Sequence, residues 1–150
     1  MKEALSFPSP STFSQVTGLT NRPLSLEDSK LPKDSRLQLV SGIDLTGSID
    51  SVVSSMKDKI KGIDSVTHVI FTAYIEKPDF ETLRKVNTDL LETAIGAIDQ
   101  LAPNLQSVVL QTGGKAYGVE FSDKLEIKPP LKESQPRIPK PCAYVEVSFL

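Results

Sequence analysis

Residues 107–119 read SVVLQTGGKAYGV: a short apolar run, an abrupt polar turn with two glycines, then a lysine and a tyrosine. Ser107–Leu110 has the composition of a buried strand, and Gln111 to Gly114 switches to polar and conformationally permissive residues. In an open α/β sheet, ligands sit just beyond the carboxyl ends of the strands. Gln111, Thr112, Gly113 and Lys115 therefore occupy the place where chemistry is expected. Taken alone, the same residues also describe an ordinary strand-to-loop turn carrying a solvated lysine. The remainder of the chain decides between the two.

Three further apolar runs precede this one. Residues 15–19 (QVTGL) end in the polar turn Thr20-Asn21-Arg22-Pro23. Residues 37–40 (LQLV) lead into Ser41-Gly42-Ile43-Asp44, and residues 66–72 (VTHVIFT) are rich in β-branched and aromatic side chains. Between the second and third runs, Ser48 is placed to cap a helix with Ile49, Val52, Val53, Met56 and Ile60 on one face, and Gly62 supplies a stop. A longer helical period runs over Phe80–Leu101, with Asp79 as its cap and Pro103 just beyond its end. Strand, strand, helix, strand, helix, strand predicts an α/β fold with a mostly parallel sheet and right-handed crossover helices.

The chain has 150 residues, enough for one domain with a sizeable core. Its 17 basic residues face 19 acidic ones, which leaves no basic excess for nucleic acid. One histidine and one cysteine, Cys142, are too few for a His/Cys metal site or an internal disulfide, and suit a reducing compartment. No apolar run approaches the roughly 20 residues of a membrane helix, and the amino terminus lacks a signal-peptide core. A soluble, cytoplasmic protein is expected. Residues 1–14 have linker composition, residues 15–124 carry the α/β pattern, and residues 125–150 form a tail whose prolines, from Pro129 to Pro141, exclude long helices and central strands.

The runs VTGLTNRPLSL, RLQLVSGIDL, VTHVIFTAYIEKPDF, LRKVNTDLLETAI and NLQSVVLQTGGKAYGVEF, in this order and spacing, resemble the short-chain dehydrogenase/reductase superfamily. More narrowly they resemble its progesterone 5β-reductase/iridoid synthase-like branch, especially fungal members. The resemblance implies a Rossmann fold, NADPH as cofactor and reduction of an activated carbon–carbon double bond in an enone or enal, commonly in secondary-metabolite biosynthesis. It places Asn21 and Arg22 at the adenosine 2′-phosphate, where a guanidinium fork suits a phosphate. Asp44 falls at the adenine edge, or is a plain turn aspartate. Thr72, Ala73 and Tyr74 fall beside the ribose and pyrophosphate, with packing on the core as the alternative for Tyr74. Lys115 matches the active-site lysine that holds the nicotinamide ribose and lowers the pKa of a catalytic tyrosine, while Gln111, Thr112 and Gly113 shape the pocket floor. Tyr117 is a packing or substrate-adjacent residue. Asn87, within the apolar stripe of the long helix, either supports the active site or makes a structural hydrogen bond to a neighbouring strand.

Two departures from the branch matter. Its members open with a strand and a glycine-rich turn that cradles the pyrophosphate, whereas no glycine precedes Gly18 here. They also carry the catalytic tyrosine about thirty residues beyond the lysine; Tyr144 lies near that distance in unmatched surroundings, so it is left unassigned. The expectation is a partial Rossmann-type sheet, truncated at both ends, with the first strand and glycine-rich loop missing. Because that strand would lie centrally, its loss separates the first two runs from the last two. Arg22, Thr72 and Lys115 are expected in one crevice, with no matching family tyrosine for Lys115 to activate. The chain as written is then expected to bind NADPH weakly or not at all, and not to reduce an enone. The alternatives are a non-catalytic binding module of the same fold and an α/β domain without a ligand.

Overall fold

The computed structural model describes residues 1–136 and Ile138. Strand β1 (Val16–Thr20) is followed by a one-turn helix α1 (Leu26–Ser29) and strand β2 (Leu37–Ser41). Helix α2 (Ile49–Lys59) leads to β3 (His68–Phe71), α3 (Phe80–Leu101) and β4 (Ser107–Leu110). Strand β1 pairs parallel with β2, Val16 opposite Leu37, and β3 pairs parallel with β4, His68 opposite Ser107. Among the described residues the two pairs are separate sheets with no ladder between them. The expected parallel strands and the expected split are both present.

Capping explains where the helices begin. The Ser48 hydroxyl accepts from Ser51 N–H at 3.3 Å, and Asp79 Oδ1 accepts from Thr82 N–H at 2.8 Å. Helix α2 ends earlier than Gly62, because Ile60 is already extended; Gly62, at φ +67°, starts the next turn instead. Strand β3 is shorter than residues 66–72, since the Thr67 carbonyl receives both Gln106 N–H and Ser107 N–H before the ladder begins. Helix α1 carries no periodic signal at four residues. Ser25 accepts from Asp28 N–H at 3.0 Å and donates to its carboxylate at 2.5 Å, which accounts for it.

With no ladder joining the sheets, side-chain packing joins them. One cluster gathers Val40, Ile43, Val52, Met56 and Ile60 around Ala97 and Ile98 of α3. The second gathers Phe71 with Leu90, Leu91 and Ala94 of the same helix, and Leu45 packs on both. Gly96 lets α2 approach, because a Cβ there would lie 3.2 Å from Ile49 Cδ1. The opposite face of β3–β4 is open, with Ile70 65% exposed.

Arg36 ties the amino-terminal segment to β2. Its guanidinium donates to the carbonyls of Leu5 at 2.9 Å and Phe13 at 3.3 Å, also to Pro10, while gripping Asp34 at 2.7 Å. Phe13 in turn meets His68 of β3 edge to face. No helix among the described residues is long and apolar enough to cross a membrane.

Met56 is 1% exposed, so Met56→Ala is expected to cost about 2–5 kcal/mol in urea unfolding, against under about 1 kcal/mol for Ile70→Ala. Thr82 N–H, and then its hydroxyl, hold the Asp79 carboxyl below its ordinary 3.8. The cap therefore contributes fully above that value and is lost as pH falls through the lowered one. An acid titration should show Asp79→Ala less stable than the parent near neutrality, with the difference closing below about pH 4.

Candidate functional site

A parallel pair delivers both of its chain ends to the same edge. The segments leaving β3 and β4 therefore run side by side, Gln111 N–H still bonded to the Phe71 carbonyl at 2.9 Å. Beyond that bond they diverge around a cavity of about 250 Å³, walled by Thr72, Ala73 and Tyr74 on one side and by Gln111, Gly113 and Lys115 on the other.

Asn87 lies beneath it, 2% exposed on α3. Its Oδ1 accepts from Ile75 N–H at 2.9 Å, and its Nδ2 donates to the carbonyls of Ile75 and Leu83, each at 2.8 Å. A buried amide with all three bonds made is stable there, and it fixes the path of the chain after Tyr74. Both readings of Asn87 meet in this geometry: the bonds are structural, and they shape the cavity wall.

Lys115 stands in the 3-10 turn Gly114–Tyr117. Its ammonium donates to the Tyr74 hydroxyl at 2.6 Å and lies 3.1 Å from Glu120 Oε1 and 3.4 Å from Glu76 Oε2. The Tyr74 hydroxyl in turn donates to Glu76 Oε2 at 2.9 Å. Hydrogen bonding to Tyr74, reinforced by Glu120 and opposed by burial, holds the lysine well above its ordinary value, so it is cationic at every physiological pH. Glu120 is carried by the turn Val119–Phe121, which Phe121 anchors edge to face on Phe80 of α3.

A tyrosine other than the family's catalytic one meets Lys115: Tyr74 reaches it from the neighbouring strand end, because β3 and β4 are adjacent and parallel. Tyr117 is half-buried in the lysine's own turn, and Tyr144 and Cys142 lie outside the described residues. The expected single crevice is corrected. Thr72 and Lys115 share the cavity, while Arg22 does not line it, because Arg22 lies just past the end of β1, which belongs to the other sheet. Asn21 and Arg22 are exposed. Asp44 accepts from Thr46 N–H at 3.0 Å and from its hydroxyl at 2.7 Å, which lowers its pKa and closes a turn after β2. Thr112 sits outside the cavity lining.

Glu76 and Glu120 were not foreseen. Glu76 follows Tyr74 by two residues and Glu120 follows Lys115 by five, and no motif links them; only the strand pairing brings them to one ammonium.

Parallel strands, crossover helices and a lysine-bearing crevice at the carboxyl edge define a Rossmann-type α/β domain. Residues 2–149 match the family model of the PRISE-like Rossmann-fold domain, and the chain belongs to that family. It is 46% identical over 147 residues to the short chain dehydrogenase ausT of Aspergillus calidoustus, covering 93% of this chain and 36% of that protein. To the short chain dehydrogenase sirQ of Leptosphaeria maculans it is 42% identical over 134 residues, 86% of this chain and 34% of that one. To the 3-oxo-Delta(4,5)-steroid 5-beta-reductase of Arabidopsis thaliana it is 32% identical over 84 residues, 55% and 22% of the respective lengths. The chain thus spans about a third of the length of the fungal relatives it matches.

Two glycines at the site separate structure from ligand space. Gly118 sits at φ +73°, and a Cβ there would meet Leu125 Cδ1 at 2.6 Å, whereas a Cβ on Gly113 would meet nothing within 4 Å. Gly118→Ala is expected to destabilise the chain by about 1 kcal/mol or more. Gly113→Ala should change thermal stability by under about 0.5 kcal/mol and act only on ligands entering the cavity.

Proposed function

We propose that this chain contributes the lysine-bearing face of the cofactor and substrate site of an NADPH-dependent short-chain-type reductase. Its substrates would be activated carbon–carbon double bonds, of enones or enals, in secondary-metabolite biosynthesis. The observation that carries the proposal is the Lys115–Tyr74 pair at the shared carboxyl edge of two parallel strands, lining a cavity. The relative named as a steroid reductase supports the substrate class, because a 3-oxo-Δ4,5 steroid is an enone.

The donor set fits one end of such a cofactor better than the other. An ammonium has three N–H donors and no acceptor, suited to vicinal ribose hydroxyls. It is already faced by Glu76 and Glu120, so the crevice offers hydrogen bonds to hydroxyls rather than net charge to a phosphate. Among the cavity's lining residues the one helical start is the single 3-10 turn at Gly114, too short to give a pyrophosphate the N-terminus of a full helix. A volume of about 250 Å³ lies below the ~300–1,000 Å³ typical of whole small-molecule sites. A bound reduced nicotinamide would supply a hydride. Lys115 would orient its ribose and stabilise negative charge on a neighbouring oxygen, and Thr72 and Ala73 would allow close backbone approach.

The missing pyrophosphate cradle among the lining residues also favours a second function, a binding module without turnover. Exposed Arg22 would add an ion pair worth about 0–1 kcal/mol, against the ~8 kcal/mol of micromolar binding. Saturation-transfer NMR of NADPH on the 150-residue chain tests the proposal. Binding at about 1 mM or weaker is expected, with the nicotinamide-ribose protons saturated more than the adenine protons and the effect lost in Lys115→Met. Adenine-dominated transfer unaffected by Lys115→Met would overturn it. With 2-cyclohexenone added, the same sample should show no NADPH oxidation; measurable turnover would rule out the module.

A further inference from the structure

Lys115 meets two carboxylates, and they are not equivalent. Glu76 is 69% exposed and lies 3.4 Å from the ammonium, whereas Glu120 is 41% exposed and lies 3.1 Å away. After the Tyr74 hydrogen bond and against burial, Glu120 helps to hold the lysine above its ordinary value, and Glu76 does not figure in that shift. The difference has a structural origin. Glu76 stands in an irregular segment, while Glu120 belongs to a turn bonded to itself. Gly118 N–H donates to the Lys115 carbonyl at 3.0 Å, Phe121 N–H to the Gly118 carbonyl at 2.8 Å, and Leu125 N–H to the Phe121 carbonyl at 2.7 Å. Phe121 packs edge to face on Phe80 of α3, ring centres 4.6 Å apart, and the Lys124 ammonium lies 5.7 Å from the centre of the Phe121 ring. Both contacts are attractive beyond the area they bury. Glu120 is thus delivered to the lysine from a seated turn.

We propose that Glu120, acting through Lys115, determines the specificity of the crevice: seated by Phe121 on Phe80, its carboxylate neutralises the ammonium, so that the neutral ribose hydroxyls of a nucleoside are admitted and the phosphate of the corresponding nucleotide is excluded. One ammonium faced by two carboxylates presents no net positive charge to an anion. A hydroxyl needs none, because its oxygen accepts an ammonium N–H as a neutral group. A phosphate brings its own negative charge to the same place and meets the repulsion of the carboxylate. This rests on the reductase-site proposal above and deepens it: a dinucleotide cofactor enters this crevice ribose first, with its phosphates outside. Lys115 lines the cavity and Glu120 does not, so Glu120 is a positioning residue, and Phe121 positions Glu120 in turn.

Reduced nicotinamide riboside and reduced nicotinamide mononucleotide, which differ only in the 5′-phosphate, are the probes. Each is titrated against the 150-residue chain and read from the Lys115 Cε–Hε signals by NMR. The parent should favour the riboside. Glu120→Gln should improve the mononucleotide relative to the riboside by up to about fivefold. Phe121→Ala keeps the carboxylate but removes its seat, and should shift the preference the same way by a smaller factor. Phe121→Tyr keeps the ring and should return the parent preference. The Lys115 ammonium protons should exchange with water faster in Glu120→Gln and Phe121→Ala and at the parent rate in Phe121→Tyr, a signature that a general loss of stability does not give. An unchanged preference in Glu120→Gln, with riboside binding still abolished by Lys115→Met, would overturn the inference and leave the reductase-site proposal standing. An equal shift in Glu76→Gln would make the neutralisation common to both carboxylates and overturn its assignment to Glu120. A shift in Glu120→Gln with none in Phe121→Ala would overturn the role of the seat. Probes that leave the Lys115 signals unmoved, or bind regardless of Lys115→Met, would remove the crevice as a nucleoside site, and the reductase-site proposal with it.

Discussion

Helix α3 contributes to both buried clusters, and among the described residues both strand pairs pack on those clusters. Two-stranded sheets are marginal on their own in water, and among the described residues β1–β2 and β3–β4 exchange no ladder hydrogen bonds. What holds them in one body is the long helix. Ala97 and Ile98 close the cluster shared with Val40 of β2 and Met56 of α2, and Leu90, Leu91 and Ala94 close the cluster under Phe71 of β3. The helix face from Leu90 to Ile98 thus does what a central strand does in a continuous sheet. The approach of α2 at Gly96 and the clasp of Arg36 on the amino-terminal carbonyls add further cross-links, but each touches only part of the structure.

The same helix reaches the site. Asn87 stands one turn before Leu90 and Leu91, and its amide is the hinge between packing and chemistry. It fixes Ile75, Ile75 follows Tyr74, and Tyr74 meets Lys115. At the other end of the crevice, Phe80 in the first turn of α3 seats Phe121, and with it the turn that carries Glu120. Among the described residues, Tyr74, Glu76 and Glu120 around the Lys115 ammonium trace to α3 or to the parallel register of β3 and β4. Arg22 and Asp44 lie in the turns that follow the other sheet's strands and have no such route to the lysine.

Local pattern made much of this legible. Phe80–Leu101 and Ser107–Leu110 are read to the residue, because a long amphipathic period with an aspartate cap, and an apolar run closed by glycines, are each set by neighbours in sequence. The pairing of runs 15–19 with 37–40, and of 66–72 with 107–110, follows from parallel α/β topology, and so does the gap between them. Lys115 is visible from the glycine turn before it. What escaped depends on non-local contact. Nothing between Tyr74 and Lys115 in the chain announces that forty-one positions apart they share a hydrogen bond. Glu76 and Glu120 look like surface charges until the strand ends meet. The one-crevice expectation for Arg22 assumed a continuous sheet edge, and the sheet is divided.

The most direct test of this arrangement is the exchange rate of a single backbone amide, Ile75 N–H, followed by hydrogen–deuterium exchange NMR. It is outside any strand or helix, and its partner is the buried Asn87 carbonyl oxygen. If α3 aims the site, that amide is protected to the level of the α3 core amides around Leu90. In Asn87→Ala it would then exchange freely, while α3 keeps its own protection. An Ile75 amide that exchanges in the native chain as fast as an exposed loop would contradict the account, because Tyr74 would then be presented to Lys115 by something other than the helix that joins the two halves of the fold.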